Sequence, residues 1–239
     1  MIENVYRIAD KNIRIRSLLN NVHTLCKDYL VSSPNSENTD FDVITSQNDI
    51  DYEREKNTDG DYSDGYLETL AVYRKIAEKM IELDTFLIHG SCIAIDGQGI
   101  LFTAKSGVGK STHAKNWCDL FSGRVLMVND DKPLIHVGDN QVTIYGTPYN
   151  GKHKRGSDIS VPLKAICVLE RDEQNSIKSI KYKDAFPTLI QQTYRQDNKE
   201  AYAHTIKLIE KMSKQLNYYN LHCNMDFESA RVAYEGIMK

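Results

Sequence analysis

Apolar residues recur along this chain with two distinct periods. Over residues 67–83, Leu67, Leu70, Ala71, Tyr73, Ile76, Ala77, Met80 and Ile81 fall on one broad face, the pattern of an amphipathic helix. Glu68 and Thr69 suit its first turn, and Asp84-Thr85 closes it. From Phe86 the period becomes that of strands. Residues 86–95 (FLIHGSCIAI) and 100–103 (ILFT) flank Asp96-Gly97-Gln98-Gly99, and an Asp-Gly turn between apolar runs predicts antiparallel neighbours. Further strands are predicted over 124–128, 134–137, 142–145, 163–169, 179–182 and 218–223. Helices are predicted over 110–121, 184–193, 200–216 and 227–238. Upstream, 12–17 (NIRIRS) alternates as a half-exposed strand, 20–30 reads as a helix, and 41–44 as a short strand. Strand–helix units beside hairpins predict an α/β fold with a mixed sheet. We divide it into a small N-terminal α+β portion, residues 1–66, and a main domain, residues 67–239, entered through the helix at 67–83.

Composition narrows the function classes. The 239 residues carry 30 Lys and Arg against 33 Asp and Glu, a formal charge of −3, so no global basic field exists to hold nucleic acid or an anionic membrane. No apolar run approaches the roughly 18 residues of a membrane span, and the first residues (MIENVYRIADKNIRIR) have no signal-peptide apolar core. Cysteines stand at 26, 92, 118, 167 and 223, with no CxxC pair, which suits reduced thiols in the cytoplasm better than disulfides or structural zinc. Charge is uneven, however. Residues 31–66 hold ten acids against Arg54 and Lys56, a local charge of −8 that leaves +5 for the remainder. Rich in Ser, Asn, Thr and Gly, this stretch reads as a solvated linker, with an acidic surface for a basic partner as the alternative.

The most informative run is Ala104-Lys105-Ser106-Gly107-Val108-Gly109-Lys110-Ser111, which follows a strand and opens a helix. It matches G-x-x-x-x-G-K-[ST] with Ala104 at the first glycine, and strand–loop–helix is the context a phosphate-binding loop requires. Gly107 and Gly109 let backbone N–H groups turn inward toward phosphate oxygens. Lys110 adds a charge against the terminal phosphates, the Ser111 hydroxyl can ligate Mg²⁺, and the helix N-terminus adds to the anion attraction. Ser106, Val108 and Thr112 complete the expected nucleotide contacts. The apolar strand at 124–128 then runs into Asn129-Asp130-Asp131. One of these carboxylates can hold Mg²⁺ while its neighbour takes a proton from a substrate hydroxyl. His89-Gly90-Ser91 lies where the hairpin brings it beside the strand feeding the loop, and Gly90 removes bulk at that approach.

Taken together, His89-Gly90-Ser91, residues 106–111 and Asp130-Asp131 resemble the catalytic core of HPr kinase/phosphorylase, which is in turn similar to ATP-dependent phosphoenolpyruvate carboxykinase. The resemblance covers about residues 86–170. The runs Gly146-Thr147-Pro148-Tyr149-Asn150-Gly151-Lys152 and 161–170 are similar to G-T-P-[WY]-x-G-K and V-P-L-K-A-I-x-x-L-E of a group of bacterial proteins. The resemblance implies a P-loop nucleotide-binding core, ATP and Mg²⁺ as cofactors, phosphoryl transfer to a serine hydroxyl, and often a homo-oligomer. It places His89 near the transferred phosphate and Ser111 on Mg²⁺, and it divides the base and metal-ligand roles between Asp130 and Asp131; we favour Asp130 as base and Asp131 as metal ligand, with the reverse order as the alternative. The family has Glu where Thr112 stands, and its glycine-rich loop with paired arginines is missing. In its place lies Gly151-Lys152-His153-Lys154-Arg155-Gly156, whose Lys152 and Arg155 are candidates to clamp phosphate. The acceptor expected is therefore a hydroxyl-bearing peptide or small molecule other than HPr, and a nucleotide-dependent switch is the alternative. No NKxD run of a typical GTPase is present, the nearest being Asn198-Lys199-Glu200-Ala201.

Overall fold

The computed structural model describes residues 1–32 and 39–239, in two compact units, Met1–Glu82 and Leu83–Lys239. The helix over residues 64–80 therefore counts with the first unit, whereas the sequence reading begins the main domain at 67.

The first unit is built on a hairpin. Strands β1 (Ile2–Ile8) and β2 (Lys11–Ser17) pair antiparallel, from Ile2 opposite Ser17 to Ile8 opposite Lys11. Ala9 and Asp10 both take positive φ between them, the backbone of a type I′ turn that matches strand twist. After helix α1 (Asn21–Leu25), β3 (Phe41–Ile44) adds parallel to β2. Helix α2 (Gln47–Lys56) packs on α3 (Asp64–Met80). Its Ile50 is buried, and Arg74 of α3 gathers Asp49, Glu53 and Glu78. The acidic stretch is thus in large part structured, with Asp49 and Glu53 paired to Arg74 and Lys75 while Asp51, Glu55, Asp59 and Asp61 stay exposed; its residues 33–38 lie outside those described. Glu68, fully buried, accepts hydrogen bonds from the Leu18 and Leu19 amides and from Thr45 Oγ1 at 2.6–2.9 Å. The helix expected over 20–30 is shorter, ending at Leu25 and followed by a 3-10 turn at Lys27–Tyr29.

The second unit is a curled mixed sheet with helices, an α/β fold. Its strands are β4 (Thr85–Leu87), β5 (Ser91–Ile95), β6 (Gln98–Thr103), β7 (Val125–Asn129), β8 (Leu134–Val137), β9 (Val142–Tyr145), β10 (Ser160–Arg171), β11 (Ser176–Ile180) and β12 (Asn217–Cys223). The expected hairpin forms between β5 and β6 with Asp96 and Gly97 at positive φ. The single strand expected over 86–95 is broken at 88–90, where its amides leave the ladder for the carbonyls of Pro133, Gln192 and Asp131. Strand β10 does two jobs. Its first residues pair antiparallel with β9, and its later ones lie parallel between β6 and β12. Around it the order β7-β5-β6-β10-β12-β11 builds the half of the sheet that matters for the site.

Helices α4 (Lys110–Leu120) and α7 (Phe227–Met238) cover one face of that half, over a core of Phe102, Trp117, Ala114, Ile93, Cys167, Leu221 and Ala233. Helices α5 (Tyr182–Gln192) and α6 (Lys199–Met212) complete the unit. Because β6, β7, β10 and β12 run the same way while β5 opposes them, the ends of four strands and the start of β5 meet at one edge. That edge collects every residue of interest. Among the described residues no helix is long and apolar enough to cross a membrane.

Candidate active site

Between β6 and α4 the chain forms a glycine loop. Gly107 (φ +80°) and Gly109 (φ +117°) take backbone conformations that L side chains rarely adopt, and Gly109 is the N-cap of α4. Lys110, the first residue of that helix, is buried and folds back so that Nζ donates to the carbonyls of Ala104 (3.1 Å) and Lys105 (3.5 Å). Burial lowers its pKa from the usual lysine value, opposed by the charges of Asp131 and then Asp130.

Asp130 and Asp131 follow β7 at the same edge, and Asn129 fixes their turn. Fully buried, Asn129 accepts from the amides of Asp131 (2.9 Å) and Lys132 (2.7 Å) through Oδ1. Its Nδ2 donates to Thr147 and to Asn150 Oδ1. The two acids then face different partners. Asp130, 5% exposed, accepts from Ser91 Oγ at 2.9 Å and from the Ser111 side chain. Burial raises its pKa above the usual carboxylate value, only partly offset by those hydrogen bonds and by the charges of Arg155 and His153. Asp131 Oδ1 lies 3.1 Å from His89 Nδ1, and its Oδ2 accepts from Lys132 Nζ at 2.5 Å. Burial acts most strongly on Asp131 too and pushes its pKa up, but His89 and Lys132 outweigh it and the net shift is downward.

His89 owes its position to the break between β4 and β5. Its amide donates to Gln192 O at 2.7 Å, and its carbonyl accepts from Thr103 Oγ1 at the end of β6. A Cβ on Gly90 would sit 2.7 Å from Leu101 Cδ1 and 2.9 Å from the Phe102 carbonyl, so the glycine is what allows this approach.

The structure brings Lys110, Ser111, Asp130, Asp131 and His89 to one edge. It pairs Ser111 with Asp130, whereas the sequence reading pairs it with Asp131 as metal ligand. The basic loop at 151–156 lies beside the acids. A Cβ on Gly151 would be 3.1 Å from Asp131 Cβ, and Arg155 and His153 act electrostatically on Asp130. Lys152 stands exposed and makes no hydrogen bond or ion pair among the described residues. The loop is also tied at both ends to Asn129, through Asn150 and a bridge to Gly156, ties that neither its glycines nor its cations announce.

Arg171 was not singled out by any motif. It ends β10, beside the strand that feeds the glycine loop, and donates to the carbonyls of Gly107 (Nη2, 2.7 Å) and Val108 (Nε, 3.2 Å). Its place follows only from the parallel pairing of β10 with β6.

Two hard oxygen donors in contact, the Ser111 hydroxyl and the Asp130 carboxylate, are a donor set that Mg²⁺ accepts, since this ion takes few protein ligands and fills its shell with water and phosphate. Among the described residues no three His, Cys, Asp or Glu side chains form a metal cage.

No curated protein matches this chain. Among solved structures it is similar to the HPr(Ser) kinase/phosphatase from Coxiella burnetii, with 11% identity over 62% of this chain and 94% of that one and a TM-score of 0.35, too loose a likeness to bear functional weight. The family model for SynChlorMet cassette protein ScmC matches residues 61–227. That span exceeds half of the sequence and includes the glycine loop, the acid pair and Arg171, and the chain therefore belongs to the ScmC family.

Proposed function

We propose that the chain is an ATP- and Mg²⁺-dependent phosphotransferase acting on a hydroxyl group of a peptide or small molecule. The observation that carries this reading is the convergence, at one sheet edge, of a helix-capping glycine loop and two adjacent acids with different partners. In this reading the amides of the loop and Lys110 hold the phosphates, aided by the N-terminus of α4. Mg²⁺, when bound, would neutralise charge on the terminal phosphates. The contacts favour Ser111 with Asp130 as its ligands, which reverses the roles drawn from the sequence. Asp131 and His89 then form the proton-accepting pair: Asp131 orients the ring through Nδ1, and Nε2 is left for the acceptor hydroxyl. Arg155, whose charge already acts on Asp130, is suited to stabilise charge as the phosphoryl group moves.

The test is calorimetric titration of Mg–ATP into wild type and Lys110→Ala, followed by mass spectrometry of serine-containing peptides and hydroxylated metabolites incubated with labelled ATP. Binding by wild type, its loss in the variant and label on an acceptor are expected. Equal affinity in both proteins would sink the loop assignment. Binding without transfer to any acceptor would leave a nucleotide-dependent switch.

A further inference from the structure

Along the sheet edge the glycine loop has neighbours on both sides. Toward β5 and β7 lie His89, Asp130 and Asp131; toward β10 and β12 lie Arg171 and the turn at 224–226. In the phosphate-loop reading the acids take the last phosphate, and the side of the loop away from them, over the ends of β10 and β12, is the one open to the nucleoside. What stands there is apolar and exposed. Met225 is 51% exposed and Phe227 53%, on either side of Asp226. Met225 Sδ would lie 3.2 Å from a Cβ on Gly109, so this side chain touches the glycine loop itself.

The ground under these side chains is held in place. The Asp172 amide donates to Cys223 O (3.1 Å), Asn224 donates from its amide to Asn175 Oδ1 (2.9 Å), and the Asp226 amide donates to Asn224 Oδ1 (3.0 Å). Asn116 of α4 donates to the carbonyls of Met225 (3.0 Å) and Asp226 (3.3 Å). The turn is thereby fixed both to the end of β10 and to the helix that the glycine loop opens. Met225 exposed on this braced turn against the glycine loop, with Phe227 exposed two residues on at the start of α7, suits a ligand that is flat and apolar at one end and anionic at the other, the anionic end lying on the proposed phosphate loop.

We propose that Met225 and Phe227 form the seat of the nucleobase, covering its face by apolar and stacking contact. This rests on the phosphate-loop reading above and adds to it the part of the nucleotide that the loop does not hold.

Inorganic triphosphate separates the two claims, because it carries the phosphates without a base. Calorimetry with Mg–ATP and with Mg–triphosphate is compared in wild type and in the double variant Met225→Ser/Phe227→Ser, both positions being exposed enough to leave the core intact. The expected result is about a 10-fold weaker ATP affinity in the variant with triphosphate affinity unchanged. Unchanged ATP affinity would overturn the seat while leaving the phosphate loop standing. An equal loss for both ligands would overturn it as well, since Met225 would then be supporting Gly109 and not a base. If wild type bound neither ligand, the phosphate-loop reading would fail and the seat with it.

Discussion

Asp130 and Asp131 are adjacent, both largely buried and both at the candidate site, yet their environments push them in opposite directions, and this has a measurable consequence. In Asp130→Asn, the amide oxygen still accepts from Ser91 Oγ, while the burial of a charge, the dominant influence on this group, is relieved. That relief contributes about 1 kcal/mol. In Asp131→Asn, the ion pair with Lys132 is lost and the bond with His89 weakened. A hydrogen bond to a charged group contributes about 1.5–3 kcal/mol; the Asp131 side chain is 19% exposed, which screens the pair, so a net loss of about 1–2 kcal/mol is expected. At roughly 2–4 °C per kcal/mol for a chain of this size, thermal melts at pH 7 should show Asp130→Asn higher than wild type by about 2–4 °C and Asp131→Asn lower by about 2–8 °C. The pH dependence follows from the two shifts. A carboxyl with a raised folded pKa contributes stability below its unfolded pKa and loses it as pH rises through the folded value, so the gain in Asp130→Asn fades on acidification. A carboxyl with a depressed folded pKa contributes above its unfolded pKa and loses that as pH falls, so the deficit in Asp131→Asn also shrinks. Scanning calorimetry of the nucleotide-free proteins from pH 7 down to about pH 3 is the assay, the Asp130 gain fading first and the Asp131 deficit only below about pH 4. Shifts of the same sign at pH 7, or a gap between the variants that does not narrow, would refute the reasoning.

Three further outcomes are expected. His113 is buried, accepts from Trp117 Nε1, and has its pKa pushed down to about 3 by burial; the unfolded chain binds its proton near pH 6.5, so wild type should lose about 2 kcal/mol from this group between pH 6.5 and pH 5, and denaturant melts of His113→Gln should lack that slope. Glu68→Ala leaves the part-buried Leu18 and Leu19 amides without their acceptor and the Thr45 hydroxyl with only the Arg16 carbonyl at 3.3 Å, and should destabilise the first unit by about 2–4 kcal/mol, seen as early loss of hydrogen-exchange protection in β2 and α3. Gly146→Ala would place a Cβ 1.8 Å from the Ser157 carbonyl oxygen and 2.7 Å from that of Val128, both backbone, so soluble yield and melting temperature should fall sharply, by about 3 kcal/mol or more.

What could be read from the sequence was what local pattern encodes. The Asp-Gly turn, the helices α4 and α7, the short strands β8 and β9 and the glycine loop each announce themselves within a dozen residues. Strand β1 does not, because Val5 and Tyr6 are both buried and break the alternation a half-exposed strand would show. Helix α2 was hidden by composition: one buried isoleucine and a row of acids look like a linker until Arg74 and Lys75, some 20 residues later, supply the opposite charge. At the site, the residue types of the acid pair were legible but their partners were not. Whether Ser111 meets Asp130 or Asp131 depends on the turn set by Asn129, and that turn depends on Thr147 and Asn150 from a distant segment.

Arg171 shows why such residues escape a motif and still shape the site that the motif names. A peptide unit is planar and trans, so its carbonyl and the following N–H point in opposite directions. By holding the carbonyls of Gly107 and Val108, Arg171 turns the amides of Val108 and Gly109 to the opposite side; the Val108 amide donates there to the Lys105 carbonyl (3.4 Å), and the Gly109 amide takes the orientation that the proposed phosphate loop needs. The positive φ at Gly107 and Gly109 makes this arrangement accessible, and the arginine makes it the preferred one. Permission is written in the glycines, inside the octapeptide. Selection comes from a side chain more than 60 residues downstream, delivered by the parallel pairing of β10 with β6. The loop's geometry is therefore a property of the sheet order as much as of its own sequence, and a chain carrying the same octapeptide beside a different strand would lack this control over where its amides point.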